Sequence, residues 1–185
     1  GYGEDPYLSS QMAAASTRGF QGEDMSQPDR MVACAKHYVG YGSAEGGRDY
    51  ENGEISDATM RDIYLPSFHA AVKAGVGTLM SAFVDVNGIP ATANRHLLTD
   101  VLRGEWGFDG FVVSDWGSVT ELIQHGVAED EAQASVLALR AGVDMDMVSG
   151  AYQNTLANSL QAGKISREEI DEAVRRIQRI KQRAG

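Results

Sequence analysis

The sequence lacks the groups that would cross-link it or carry it through a membrane. It holds one cysteine, Cys34, which excludes an internal disulfide. Because Cys34 lies in an apolar run, we expect it to be buried as a small hydrophobic side chain. No apolar run approaches the roughly 20 residues that a membrane span needs, so a membrane is not expected as a partner.

Positive charge is also scarce. The 185 residues include 16 Lys and Arg against 26 Asp and Glu, a formal net charge of −10. Phosphate binding needs clustered cations, so nucleic acid is excluded as a partner. The basic residues that do cluster lie near the end of the last predicted helix, where we expect them to complement the helix dipole: Arg175, Arg176, Arg179, Lys181 and Arg183.

No secretory signal is visible, but the chain begins with Gly-Tyr-Gly instead of Met. We therefore expect that the true N-terminus can lie upstream, and the missing signal is no argument for the cytoplasm. Apolar residues make up 43% and charged residues 23%, which is ordinary for one globular domain with its own core.

Strand, loop and helix patterns alternate four times along the chain. We predict strands at 31–38, 78–84, 111–114 and 143–148, and helices at 6–20, 56–75, 95–105, 118–124, 129–141, 151–162 and 167–183. This order indicates an α/β fold with parallel strands, either about half of a (β/α)8 TIM-type barrel or a small doubly wound sheet. The glycines after the first strand do not have dinucleotide-binding spacing, which favours the barrel.

Polar side chains gather where the predicted strands end, the edge that carries function in parallel α/β folds. Lys36 and His37 end the first strand, and Asp115 and Trp116 end the third. Charged groups beside an aromatic ring suit a neutral ligand that is rich in hydroxyl groups.

Each of these residues also has a purely structural interpretation. Asp115 could simply cap the helix that begins near residue 118, and position alone does not separate this from a catalytic role. Lys36 and His37 should point to opposite faces unless the strand ends or bulges between them. We expect Asp144 and Asp146 to bind loop amides. We expect the remaining histidines to be surface residues without metal-ligand spacing: His69, His96 and His125.

Several long motifs resemble the catalytic barrel of family 3 glycoside hydrolases, the β-glucosidase group. They are GYGEDPYL at the start, AKHYVGYG at 35–42, GGRDY at 46–50, the stretches 79–94 and 97–117, and AGVDMDMV at 141–148. The resemblance implies that Asp115 is the nucleophile of a retaining reaction that removes terminal β-linked glucosyl or xylosyl residues. It also implies that a set of neighbours binds the sugar: Lys36, His37, Arg48, Met80, Phe83 and Trp116.

Two departures modify this expectation. Many members have tyrosine where this sequence has Phe83, so one hydroxyl beside the nucleophile is missing. The branch that removes N-acetylglucosamine carries a Pro-Gly-His-Gly run after the Lys-His pair, and residues 39–42 are Val-Gly-Tyr-Gly instead. That branch is therefore disfavoured.

The resemblance further implies that residues 1–185 are a partial catalytic barrel domain. Earlier strands, and a second domain that supplies the acid/base glutamate, lie outside them. Expected partners are a β-linked oligosaccharide or an aryl or alkyl glucoside, and the rest of the barrel or a second copy of the chain. No cofactor is implied, and the location implied is periplasmic or secreted. A rival interpretation is a catalytically idle half-barrel that serves as an assembly module.

Overall fold

A computed structural model describes residues 2–185 and shows an α/β chain. The helices are α1 (Pro6–Gln21), α2 (Asp57–Thr59), α3 (Pro66–Lys73), α4 (Ser118–Glu121), α5 (Glu131–Ala141), α6 (Ala151–Gln161) and α7 (Arg167–Ala184), with a π-helical segment at His96–Glu105. The strands are β1 (Cys34–Tyr38), β2 (Asn52–Gly53), β3 (Thr78–Ser81), β4 (Asp85–Val86), β5 (Ile89–Pro90) and β6 (Phe111–Val113).

The three longer strands form one parallel sheet in the order β1-β3-β6. The predicted α/β class with parallel strands is confirmed. A second, small sheet contains β2, β4 and β5, in which β2 and β4 are parallel while β4 and β5 form a hairpin. The main apolar core lies between the large sheet and its helices. A smaller apolar cluster joins α5 to α7.

The predicted helix beginnings are confirmed where a side chain caps them. Asp5 Oδ1 accepts the backbone N–H of Tyr7, and Pro6 occupies the first helical position, where no N–H is needed. Ser166 and Glu169 form a reciprocal capping box at the start of α7. These caps fix where the chain enters α1 and α7.

The helix predicted over 56–75 is interrupted. It consists of α2, a π-helical turn at Met60–Tyr64, and α3. Pro66 has no N–H to continue the ladder, so the chain restarts the helix with Pro66 in the first turn. In the turn before it, the N–H of Leu65 donates to the carbonyl of Met60 at 2.9 Å, a span of five residues.

The strand predicted over 143–148 is wrong. The segment runs beside β6 but forms only one parallel bridge, between Val113 and Met145. The Asp144 side chain accepts a hydrogen bond from the N–H of Val112 at 2.8 Å. In a regular β-ladder this N–H would pair with a backbone carbonyl instead. Val148 then adopts a φ of +70°, which ends any extended path.

Strand β1 begins later than predicted and contains a bulge. Ala35 pairs with Leu79, but Tyr38 pairs with Ser81, so β1 carries one extra residue between these pairs. The prediction that Cys34 is buried is wrong, because Cys34 is exposed. Within the described residues, β1 is the outer strand of its sheet and has a neighbour on one side alone.

The basic cluster of α7 does more than complement the helix dipole. Arg176 Nη1 lies 2.9 Å from Asp144 Oδ1. Arg183 pairs with the Asp109 carboxylate through both of its terminal nitrogens, Nη1 and Nη2. Arg179 donates to the backbone carbonyl of Asp109 at 2.9 Å. Asp109 precedes β6 along the chain and Asp144 follows it, so these bonds attach α7 to segments before and after this strand.

Candidate active site

Asp115 stands at the carboxyl end of β6 and is only 7% exposed. Its Oδ1 accepts the backbone N–H of Trp116 at 2.7 Å. Its Oδ2 is buried and has no hydrogen-bond partner within the described residues. A buried acceptor without a donor is costly, so this oxygen is available to a ligand.

Asp115 does not cap the following helix, and the interpretation of it as a helix cap is wrong. The residue before α4 is Gly117, at a φ of +69°, and no side chain caps the helix start. Ser118 donates its N–H to the backbone carbonyl of Asp115 at 3.1 Å and not to the Asp115 carboxylate.

His37 is the basic side chain that contacts Asp115. Its Nε2 lies 3.4 Å from Asp115 Oδ2. Burial lowers the pKa of His37, and the charge of Asp115 opposes that effect. The imidazole also packs on the ring of Tyr41, with centroids 5.0 Å apart, so it is held from two sides.

Tyr41 links His37 to the glycine-rich loop that follows β1. Its hydroxyl donates to Asp49 Oδ1 at 2.7 Å. Burial and this hydrogen bond raise the pKa of Tyr41, which keeps the hydroxyl protonated. Sequence reasoning missed Tyr41, although its place three residues after Tyr38 puts it beside the strand end.

The bulge in β1 resolves the expected conflict between Lys36 and His37. Both residues line a cavity of about 750 Å³ between β1, α1 and α3, as do the three residues before them, whereas Asp115 does not line it. Lys36 itself is exposed. The extra residue frees the pair from strict alternation, as the sequence allowed.

The other sugar-binding candidates are unevenly placed. Arg48 is not brought to Asp115: its side chain is 70% exposed and lies 3.5 Å from Glu51 Oε1. Met80 is buried on β3, where it pairs with Val113 of β6, the strand that Asp115 follows. Trp116 is 65% exposed and directly follows Asp115.

Phe83 forms an aromatic wall with Tyr50, a residue that the sequence did not single out. Their ring centroids are 4.7 Å apart. Tyr50 has a φ of +72°, which is strained for a residue with a Cβ and is often found at functional sites. Charges on Glu121, Asp49 and Asp115 contribute, after burial, to a raised pKa of Tyr50.

Two of the three histidines predicted at the surface behave differently. The prediction that His125 is a surface residue is wrong. Its side chain is 11% exposed, and its Nδ1 lies 3.0 Å from Asp85 Oδ1. His69 is half-buried and stacks on Trp106, with centroids 4.7 Å apart. His96 is exposed, as predicted. Helical position alone did not reveal what packs against each helix.

Asp144 and Asp146 do accept backbone N–H groups, but from a strand and a helix and not from loops as predicted. Asp144 accepts the N–H of Val112, and Asp146 accepts the N–H of Tyr152 at 3.4 Å. Within residues 2–185 no group of three or more His, Cys, Asp or Glu side chains could hold a metal ion. In the same residues no helix combines the length and the apolar character that crossing a bilayer requires.

Known proteins resemble this chain along its whole length. The family model for the glycosyl hydrolase family 3 N-terminal domain matches residues 1–180. A periplasmic β-glucosidase of Salmonella typhimurium is 40% identical over 100% of this chain and 24% of its own length. A β-xylosidase of Formosa agariphila is 42% identical over 100% of this chain and 27% of its own length.

Solved structures agree with the sequence matches. A β-glucosidase of Listeria innocua in complex with glucose superposes with a TM-score of 0.96 at 41% identity, over 98% of this chain and 26% of that one. A mutant of the same protein was solved in complex with laminaribiose. The chain thus spans about a quarter of the length of these relatives. It belongs to glycosyl hydrolase family 3, whose N-terminal domain model it matches, and its α/β fold is consistent with part of a TIM barrel.

Proposed function

We propose that this chain carries the nucleophile of a retaining β-glycosidase, and that Asp115 is that nucleophile. The observation that carries the proposal is the buried Asp115 Oδ2, which has no hydrogen-bond partner among residues 2–185 and lies 3.4 Å from His37 Nε2. A rigid strand brings this oxygen to the edge of the sheet where substrates of parallel α/β folds bind. Glycosidase chemistry agrees with the family to which the chain belongs.

In the proposed reaction, Asp115 Oδ2 attacks the anomeric carbon while the bond to the leaving oxygen breaks. A second carboxyl group, about 5–5.5 Å away, donates a proton to that oxygen. Water then attacks the glycosyl ester, gives its proton to the same second group, and releases the sugar and the Asp115 carboxylate. We propose that this second group is a glutamate outside residues 1–185. Glu45 is the candidate within the chain, and it is exposed in a turn of the glycine-rich loop.

Sugar binding is assigned to the residues around Asp115. His37 and Lys36 present nitrogen donors to ring hydroxyls, and Trp116 offers an exposed aromatic face. Phe83 and Met80 supply apolar contact beside β3 and β6. Arg48 would join them only if its loop moved from its place against Glu51.

The proposed substrates are β-linked glucosides or xylosides that are cleaved at the non-reducing end. The names of the relatives support this, as do the glucose and laminaribiose bound in structures of the Listeria innocua protein. A periplasmic or secreted location is proposed on the same basis, since one relative is described as periplasmic.

Asp115→Asn in the full-length protein tests the proposed nucleophile. The amide has nearly the same shape but cannot attack, so turnover of an aryl β-glucoside should fall by more than about 1,000-fold. Asp100→Asn is the matched control, because Asp100 is exposed and lies outside the site. Mass spectrometry after reaction with a 2-fluoroglucoside should place the covalent label on Asp115. Undiminished turnover by Asp115→Asn would overturn the proposal.

The open edge of β1 supports a second proposal, that residues 1–185 are incomplete as an active domain. Within the described residues β1 pairs with β3 alone, and the cavity of about 750 Å³ lies along β1. We propose that the rest of the barrel fills this edge and that the isolated chain is inactive. Light scattering and an aryl β-glucoside assay of the isolated chain test this. A stable monomer with full turnover would refute it, whereas an inactive dimer would favour an idle assembly module.

A further inference from the structure

Helix α4 follows Asp115 directly and is fixed at its first residue. Ser118 Oγ accepts a hydrogen bond from Thr92 Oγ1 at 3.0 Å, and Thr92 Oγ1 lies 2.9 Å from Ser81 Oγ on β3. All three hydroxyl groups are buried. The start of α4 is thereby tied to the strand that lies between β1 and β6.

His125 fixes the chain just beyond the other end of α4. Its backbone N–H donates to the carbonyl of Glu121 at 3.0 Å. Its side-chain Nδ1 lies 3.0 Å from Asp85 Oδ1, and these side chains are only 11% and 18% exposed. Because both side chains are largely buried, solvent screens this polar contact only weakly. It is a close approach and not an aligned hydrogen bond, since Asp85 Oδ1 has no hydrogen-bond partner within residues 2–185.

Asp85 connects this pair to the aromatic wall of the site. It lies two residues after Phe83 and pairs in register with Asn52, which is two residues after Tyr50. The rings of Phe83 and Tyr50 pack together at 4.7 Å. The contact between His125 and Asp85 therefore joins the segment that follows the nucleophile to the small sheet behind this wall.

Glu121 is the last residue of α4, between these two fixed points and six positions after Asp115. Its Oε2 is buried and has no hydrogen-bond partner within residues 2–185, which is also true of Asp115 Oδ2. Burial raises the pKa of Glu121; the charge of His125 opposes this, and the charge of Asp115 adds to it. Two unpartnered acceptors thus lie on the same short segment, and both require donors.

We propose that His125, held by Asp85, is a positioning residue that fixes α4 and the Glu121 carboxylate relative to Asp115. This inference rests on the proposed glycosidase function, because hydroxyl groups of the bound sugar are the donors that the two carboxylates lack. Glu121 is then a binding group for a substrate hydroxyl, while Asp115 attacks. The role of His125 is indirect, since it acts through the segment and not through the sugar.

Two substitutions at His125 in the full-length protein test this role. His125→Leu removes the nitrogen that lies beside Asp85 Oδ1, and kcat on an aryl β-glucoside should fall by about 10- to 100-fold with KM within about threefold of wild type. His125→Asn keeps a nitrogen donor near the position of Nδ1 and should recover kcat to within about fivefold of wild type. His96→Leu is the matched control, because His96 is exposed, and it should leave both constants unchanged.

Two results would overturn the positioning role. One is a kcat for His125→Leu within twofold of wild type. The other is an equal loss in the Leu and Asn variants together with an equal fall in melting temperature, which would reduce His125 to a packing residue. Asp115→Asn is assayed in parallel: turnover by that variant overturns the proposed function, whereas normal turnover by His125→Leu overturns only the role of His125.

Discussion

Arg103 Nη2 lies 2.6 Å from Asp144 Oδ2, and the two side chains are 11% and 1% exposed. The same carboxylate accepts from Arg176 Nη1 at 2.9 Å and from the N–H of Val112 at 2.8 Å. One buried anion therefore connects the π-helical segment His96–Glu105, the strand β6 and the last helix α7.

Removing this anion should be strongly destabilising. Asp144→Leu leaves two guanidinium groups without their partner, and we expect the free energy of unfolding to fall by about 3–5 kcal/mol. Urea denaturation followed by circular dichroism measures the loss. Asp100→Leu is the control, since its partner Arg95 is 64% exposed, and it should cost less than about 1 kcal/mol. Equal losses in the two variants would contradict the argument.

Gly110 should not tolerate a methyl group. A Cβ there would stand 2.1 Å from the carbonyl oxygen of Gly77, just where β6 begins beside β3. We expect Gly110→Ala to lower the free energy of unfolding by about 2–3 kcal/mol, because backbone must move to make room. Gly104→Ala meets nothing closer than 3.6 Å and lies in a helical segment, so it should be neutral or stabilising by up to about 1 kcal/mol. Thermal melts of both variants compare the two sites.

Stability should fall as the medium is acidified through the titration range of histidine. Burial lowers the pKa of His37 and of His69 below the ordinary value of 6.5, so the unfolded chain takes up these protons more readily than the folded chain. The free energy of unfolding should therefore be fully retained above pH 6.5 and decrease below it. Melting temperatures between about pH 5.5 and 7.5 measure this window. In His37→Asn the melting temperature should depend less steeply on pH, because only the contribution of His69 remains. An unchanged dependence on pH would contradict the assignment to His37.

The two tryptophans should respond differently to sugar. Trp116 is 65% exposed beside Asp115, whereas Trp106 is stacked on His69 outside the site. We expect Trp116→Ala to raise KM by about 3- to 10-fold through lost stacking, with a smaller change in kcat. Fluorescence offers a direct check, because glucose should change the emission of a Trp106→Phe protein, in which Trp116 remains. Emission of Trp116→Phe should not change with glucose.

Local patterns predicted the elements that local chemistry determines. Asp5 and Ser166 mark helix beginnings because their bonds are made within three residues along the chain. The strand end at Asp115 was also readable, because three apolar residues precede an acid. The interruption at Pro66 was missed, since the apolar spacing continued across the proline and outweighed its lost donor.

Partners that are distant along the chain could not be read from the sequence. His125 meets Asp85 across 40 positions, and nothing in its neighbourhood distinguishes it from the exposed His96. Tyr50 was missed for the same reason, because its ring packs on Phe83, which is distant along the chain. The strand predicted at 143–148 was wrong because of the Asp144 side chain. It accepts the backbone N–H of Val112, which a continued β-ladder would need, whereas β-propensity alone would extend the strand.

The extra residue of β1 has a consequence for protein engineering. Deleting one position between Ala35 and Tyr38 would restore an even ladder along β3. Because Lys36 and His37 are the only residues between these two positions, the deletion would itself remove either the ammonium or the imidazole. The irregular pairing of β1 thus allows two adjacent residues, Lys36 and His37, to contribute to one pocket. A redesign that makes the pairing of this strand regular should therefore lose sugar affinity.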